Sequence, residues 1–114
     1  MGLVESRFAD IIWNHEPLYS RELVKLCEQA LNWNRSTTYT VLRRLCDRGI
    51  FKNVGGTVSS ILTRQEYDAL QSELFVDETF SGSLPAFFAA FVRRKKLTAK
   101  EIDELQRLID EHRR

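Results

Sequence analysis

The stretch Trp33–Gly49, WNRSTTYTVLRRLCDRG, constrains the fold of this chain more than any other. Thr38, Val41, Leu42 and Leu45 fall at i, i+3, i+4 and i+7, one face of a 3.6-residue period, so the spacing predicts an amphipathic helix. Asn34 suits its N-cap, because the side-chain oxygen can accept from a free first-turn amide. Gly49 suits the residue just past its end, where a left-handed conformation is needed. The opposite face carries Ser36, Tyr39, Thr40, Arg43 and Asp47, with Arg44 on its flank. Hydroxyls, a phenol and arginines, with no lysine and one acid, suit hydrogen bonds to base edges and phosphates. The face therefore predicts a DNA recognition helix; an ordinary solvated helix is the alternative.

The flanking segments decide how that helix is used. Leu3–Asn14 has helical spacing, with Val4, Phe8, Ile11 and Ile12 on the apolar side. His15-Glu16-Pro17 stops it, which leaves His15 as a surface loop residue. Tyr19–Leu31 reads as a second helix, capped by Ser20, with Leu23, Leu26, Cys27 and Ala30 inward and Glu22, Lys25 and Glu28 toward water. Two short helices joined by a tight turn at residues 32–34, the second with a polar and basic face, form a helix-turn-helix. After Gly49, residues 50–54 have strand character, residues 55–57 (Gly-Gly-Thr) turn, and residues 58–62 run back. Three helices followed by a hairpin predict a winged helix, assigned to residues 1–62 as a DNA-binding domain.

Residues 63–114 are predicted to form a helical dimerisation region. Thr63-Arg64-Gln65-Glu66 is a capping box that opens a helix carrying Tyr67, Leu70, Leu74 and Phe75. Ser81-Gly82-Ser83 ends it, and Pro85 sits in the first turn of the next helix, where its missing N–H costs nothing. That helix bears Leu84, Phe87, Phe88, Phe91 and Val92, then Arg93-Arg94-Lys95-Lys96, cations that suit a helix C-terminus. A second box, Thr98-Ala99-Lys100-Glu101, opens a last helix with a stripe of Ile102, Leu105, Leu108 and Ile109. A winged helix of about 60 residues has little spare core to cover three such helices, and the phenylalanine stripe alone would be a large exposed apolar patch on a monomer. A twofold homodimer, joined through Leu74, Phe80, Leu84, Phe87, Phe88, Phe91, Ile102, Leu105, Leu108 and Ile109, covers it and presents two recognition helices to a palindromic duplex.

Composition bounds the alternatives. With 43% hydrophobic and 29% charged residues in 114, the chain reads as a soluble folded protein. No run approaches the roughly 20 apolar residues of a membrane span, and no signal peptide is seen, so a cytoplasmic protein is expected. Cys27 and Cys46 read as free thiols. The net charge is +1, but Arg35, Arg43, Arg44, Arg48 and Lys52 face only Asp47 between residues 35 and 52. Positive charge is thus local to the recognition segment. The two histidines, His15 and His112, lie far apart, and no nucleophile elbow, phosphate loop or metal-spaced ligand set occurs. Neither an enzyme nor a cofactor is implied. A winged-helix module that binds another protein through its apolar C-terminal helices is the alternative function.

The segments Ile11-Ile12-Trp13, WNRSTTYTVLRRLCDRGIF (residues 33–51), FSGSLPAFFAAF (residues 80–91) and LTAKEIDELQRLIDE (residues 97–111) resemble the penicillinase-repressor family. That family includes repressors of beta-lactamase and methicillin-resistance genes and copper-responsive repressors. The resemblance covers almost the whole chain. It implies a dimeric transcriptional repressor, with DNA contacts from Arg35, Ser36, Thr37, Tyr39, Thr40, Arg43 and Arg44 and a dimer held by the tail helices. Family wings often carry a Gly-Arg pair; here the tip is Gly55-Gly56-Thr57. Beta-lactam-responsive members are cleaved by a sensor protease before a phenylalanine, and the matching bond here is Ala90–Phe91, with alanine in place of asparagine. No cysteine follows Cys46, so the copper motif is missing.

Overall fold

A computed structural model describes residues 2–114. The chain divides into two compact units, one running to Leu70 and one spanning Gln71–Arg114. The first contains α1 (Leu3–His15), β1 (Leu18–Tyr19), α2 (Ser20–Leu31), α3 (Arg35–Asp47), β2 (Phe51–Val54), β3 (Thr57–Ser60) and the start of α4 (Arg64–Phe80). The second holds the rest of α4, then α5 (Leu84–Arg94) and α6 (Ala99–His112). Three helices and a small antiparallel sheet, followed by C-terminal helices, are the winged-helix architecture expected from the sequence.

The residues expected to form a recognition helix make up α3, for the reasons legible in their order. Thr38, Val41, Leu42 and Leu45 are all buried. The Asn34 side chain accepts from the Thr37 amide at 2.8 Å. At the other end the amides of Gly49 and Ile50 donate to the carbonyls of Cys46 and Leu45, and Gly49 has φ +80°. This double bond across a left-handed residue is a Schellman motif. It turns the chain straight into β2, whose Phe51 is fully buried.

The core lies between the helices and one face of the sheet: Phe8, Ala9 and Ile12 of α1, Leu23 and Cys27 of α2, the α3 face, and Phe51 and Val58 of the hairpin. Trp33, in the α2–α3 turn, stacks on Phe8 with ring centroids 5.3 Å apart. Trp13 packs on Phe51 and Tyr67 and donates its indole N–H to the Leu62 carbonyl at 3.0 Å. Tyr67 in the first turns of α4 is buried in this same core, and Arg64 pairs with Asp10 of α1.

Several local expectations are corrected. The sheet has three strands in the order β1-β3-β2, because Leu18 and Tyr19 pair with Val58 and Thr57. Tyr19 is therefore a strand residue, and Ser20, expected to cap α2, is its first residue with the hydroxyl turned elsewhere. His15 is not in a loop: it is the last residue of α1, its Nδ1 2.8 Å from the Ile11 carbonyl. The hairpin turn is only Gly55-Gly56, both at positive φ, and Thr57 begins the return strand opposite Val54. Positive φ at both central residues is what a two-residue turn matched to strand twist requires. Ala30 and Val4, expected to face inward, are exposed, while Val24 is buried.

In the second unit both helix starts follow their sequence signals. The Ser83 hydroxyl accepts from the Ala86 amide with Pro85 in the first turn, and Thr98 and Glu101 form a reciprocal capping box. Those contacts to Thr98 hold the Glu101 carboxyl below its ordinary value; Thr63 does the same to Glu66. Phe75, Phe80 and Phe87 meet edge to face with centroids 5.6–5.9 Å apart.

Candidate nucleic-acid interface

With one face of α3 sealed into the core, most of its remaining side chains are left outward. Arg35, Ser36, Thr40 and Arg43 are exposed, and Thr37 is half-buried. Among the described residues, Arg35, Arg43, Arg48 and Lys52 form no ion pair. The first turn of α3 has no acid and begins with Arg35. The positive end of the helix dipole and a guanidinium with no acidic partner therefore lie within the same turns of α3, an arrangement suited to a phosphate.

Two grooves run along this face. One, between α2 and α3, is lined by Arg21, Val24, Lys25, Glu28 and Arg35. The other, between α3 and β2, is lined by Tyr39, Leu42, Arg43, Cys46 and Asn53. A cleft between the wing turn and the start of α2 is lined by Tyr19, Ser20, Arg21, Gly55 and Gly56. Fold and charge thus place the α3 side chains beside cations of α2 and polar groups of β2.

Two of the residues expected on this face are held differently. Arg44 lies on the flank and pairs with Glu5 of α1, so its charge is already neutralised. Tyr39 is half-buried against the core, its hydroxyl 3.0 Å from the Ser20 hydroxyl, with the Arg35 guanidinium 5.6 Å above the ring. Arg21, Lys25 and Asn53 join the surface without having been singled out. Arg21 carried no clear signal, since Glu22 beside it already places an acid in the first turn of α2. Lys25 and Asn53 had none, since only the packing of α2 and β2 beside α3 brings them in. Cys46 opens on the α3–β2 groove, its thiol pushed up by burial and then by Asp47.

The residues expected to dimerise have a shared property. Leu74, Leu84, Phe88, Phe91, Ile102, Leu108 and Ile109 are exposed; Phe80, Phe87 and Leu105 are half-buried. No residue from Gln71 onward is buried. Phe87, Phe88, Phe91, Leu97, Leu105 and Leu108 line one apolar groove between α5 and α6, with Glu101 and Glu104 at its rim. The Ala90–Phe91 bond lies within helical α5. Among the described residues no cluster of His, Cys, Asp and Glu could hold a metal ion, and no helix is long and apolar enough to cross a membrane.

A winged helix with a basic, hydroxyl-bearing third helix defines the class. Residues 1–111 match the penicillinase repressor family model, and the chain belongs to that family. It is 26% identical over 106 residues to the penicillinase repressor of Bacillus licheniformis, covering 90% of this chain and 83% of that protein. It is 21% identical over 110 residues to the methicillin resistance regulatory protein MecI of Staphylococcus aureus, covering 93% and 89%.

Proposed function

We propose that the protein is a homodimeric, sequence-specific DNA-binding transcriptional repressor that acts in the cytoplasm by occluding a promoter. The observation that carries this reading is α3: its apolar face is buried, and the face left outward holds hydroxyls together with Arg35 and Arg43, which have no acidic partner among the described residues. Ser36, Thr40 and Arg43 would read base edges in the major groove of double-stranded DNA. Arg35, Thr37 and Arg44 would hold phosphates, Arg44 after leaving Glu5.

Residues 1–62 serve as the DNA-binding domain and residues 63–114 as the dimerisation region, with the first turns of α4 bracing the former through Tyr67. The dimer is supported by the absence of any buried residue after position 70. Apolar helices left this open need a second surface, and a second copy supplies an identical one. Two recognition helices related by a twofold axis would then meet the half-sites of a palindromic operator. A sensor protease acting at Ala90–Phe91 would have to unwind α5 first.

The test is binding to a duplex from the region upstream of the protein's own gene, compared with random duplex. Arg43→Ala is expected to lower the operator-to-random affinity ratio by about five- to hundredfold, the cost of one lost base contact being about 1–3 kcal/mol. A ratio unchanged by the substitution would sink the assignment of α3 as the reading element. A mass in solution that stays monomeric at all concentrations would sink the dimer.

A further inference from the structure

We infer that Tyr39 is a positioning residue, and that its hydroxyl, through Ser20, ties the recognition helix to the wing. The inference rests on the DNA-binding reading above and deepens it. Tyr39 sits on α3, where residue type alone suggests a base or phosphate contact. Its geometry says otherwise. The ring is half-buried against the core, and the hydroxyl lies 3.0 Å from Ser20 Oγ, nineteen residues earlier in the chain. That separation lies at the long end of the range for a hydroxyl–hydroxyl hydrogen bond.

Ser20 is the junction. Its backbone N–H donates to the Gly56 carbonyl in the wing turn at 2.8 Å. The residues just before it, Leu18 and Tyr19, pair with Val58 and Thr57 of the returning wing strand. One residue therefore contacts α3 through its side chain and the wing turn through its backbone, while opening α2. Above the same ring, the Arg35 guanidinium stacks at 5.6 Å. Tyr39 thus fixes two things at once: the direction of Arg35 and the seat of the wing turn relative to α3.

The tie matters here because of what the wing lacks. Its tip is Gly55-Gly56, with no side chain that could reach out and correct a misplaced wing. A wing tip that can offer only backbone must be delivered to the DNA already in position. A hydroxyl pair joining it to the reading helix does this without adding a charge to the surface.

A double-mutant cycle tests the proposal on the full chain. Tyr39→Phe keeps the ring and the Arg35 stack but removes the hydroxyl; Ser20→Ala removes the other partner and keeps the backbone bond to Gly56. Each single variant is expected to weaken operator binding about three- to tenfold, the scale of one lost hydrogen bond, and the double variant no further than either alone. The amide of Ser20 should exchange with solvent faster in all three variants, while the amides of Leu42 and Leu45 keep their protection. Effects that multiply in the double variant would overturn the proposal. So would Tyr39→Phe changing preference at one base pair while Ser20→Ala leaves binding intact, because Tyr39 would then read the DNA directly. Unchanged Ser20 exchange in the variants would refute the tie itself, whether or not the wild type binds DNA. A wild type with no operator preference would instead overturn the functional reading and, with it, the role given to the tie.

Discussion

Replacing Gly49 by alanine isolates the energy of the motif that ends α3. Gly49 has φ +80°, and a Cβ built there meets nothing within 4 Å. The cost is therefore conformational rather than steric crowding. Holding an L-residue in the left-handed region costs about 1–2 kcal/mol. Alanine also loses less backbone freedom on folding than glycine, which offsets about 0.4–1 kcal/mol. The net is a destabilisation of about 1 kcal/mol. For a unit of this size that lowers the midpoint of thermal unfolding by about 4–8 °C. Trp13 and Trp33 are the only tryptophans, and both lie in the first unit. Their fluorescence therefore reports the winged helix alone, whatever the C-terminal helices do. Gly49→Asn should recover most of the loss, since asparagine tolerates the left-handed region. An alanine variant as stable as the wild type would refute the Schellman ending of α3.

Three further perturbations probe other links. Phe91→Ala should weaken the dimer about ten- to hundredfold by sedimentation: completing the burial of a half-exposed ring contributes about half of the usual 1.5–3 kcal/mol, and twofold symmetry counts it twice; an unchanged dissociation constant would remove Phe91 from the interface. Glu16 accepts from the Ser60 amide at 2.8 Å and from its hydroxyl at 2.7 and 2.9 Å. Glu16→Ala should cost about 1–3 kcal/mol by denaturant titration, the penalty of orphaning a partly buried donor, and a loss near zero would show that water replaces the carboxylate. Burial pushes the Cys27 thiol from 9.0 up to about 11, against a smaller downward pull from Thr38. The unfolded thiol ionises first as pH rises, so stability from this group is complete below about pH 9 and declines up to about pH 11. Cys27→Ala should remove that part of the alkaline slope, and an identical slope would locate the titration elsewhere.

Much of this molecule is legible in its residue order because the signals are local. The buried face of α3, its Asn34 cap and Gly49 ending, the Gly-Gly turn and the Thr98 box each need only a few neighbouring residues. What escapes is what depends on distant chain. β1 is two residues long and exists only because Val58 and Thr57 lie alongside; no alternation can appear over two positions. Ser20 resembles a cap, yet its hydroxyl partner is on α3. Helical spacing puts Tyr39 on the outer half of α3, and only the fold shows its ring half-buried and its hydroxyl beside Ser20. Likewise, only the approach of α1 shows that Glu5 takes Arg44. The basic surface is also broader than the 35–52 segment, since Arg21 and Lys25 reach it from α2.

If α3 recognises operator DNA as one of a twofold pair, a genome-wide map of where the protein sits will show it. A few discrete sites over promoters are expected, each holding an inverted repeat with half-sites about one or two helical turns apart, and lost in the Arg43→Ala variant. Binding spread evenly along the genome, or sites without a repeated half-site, would contradict it.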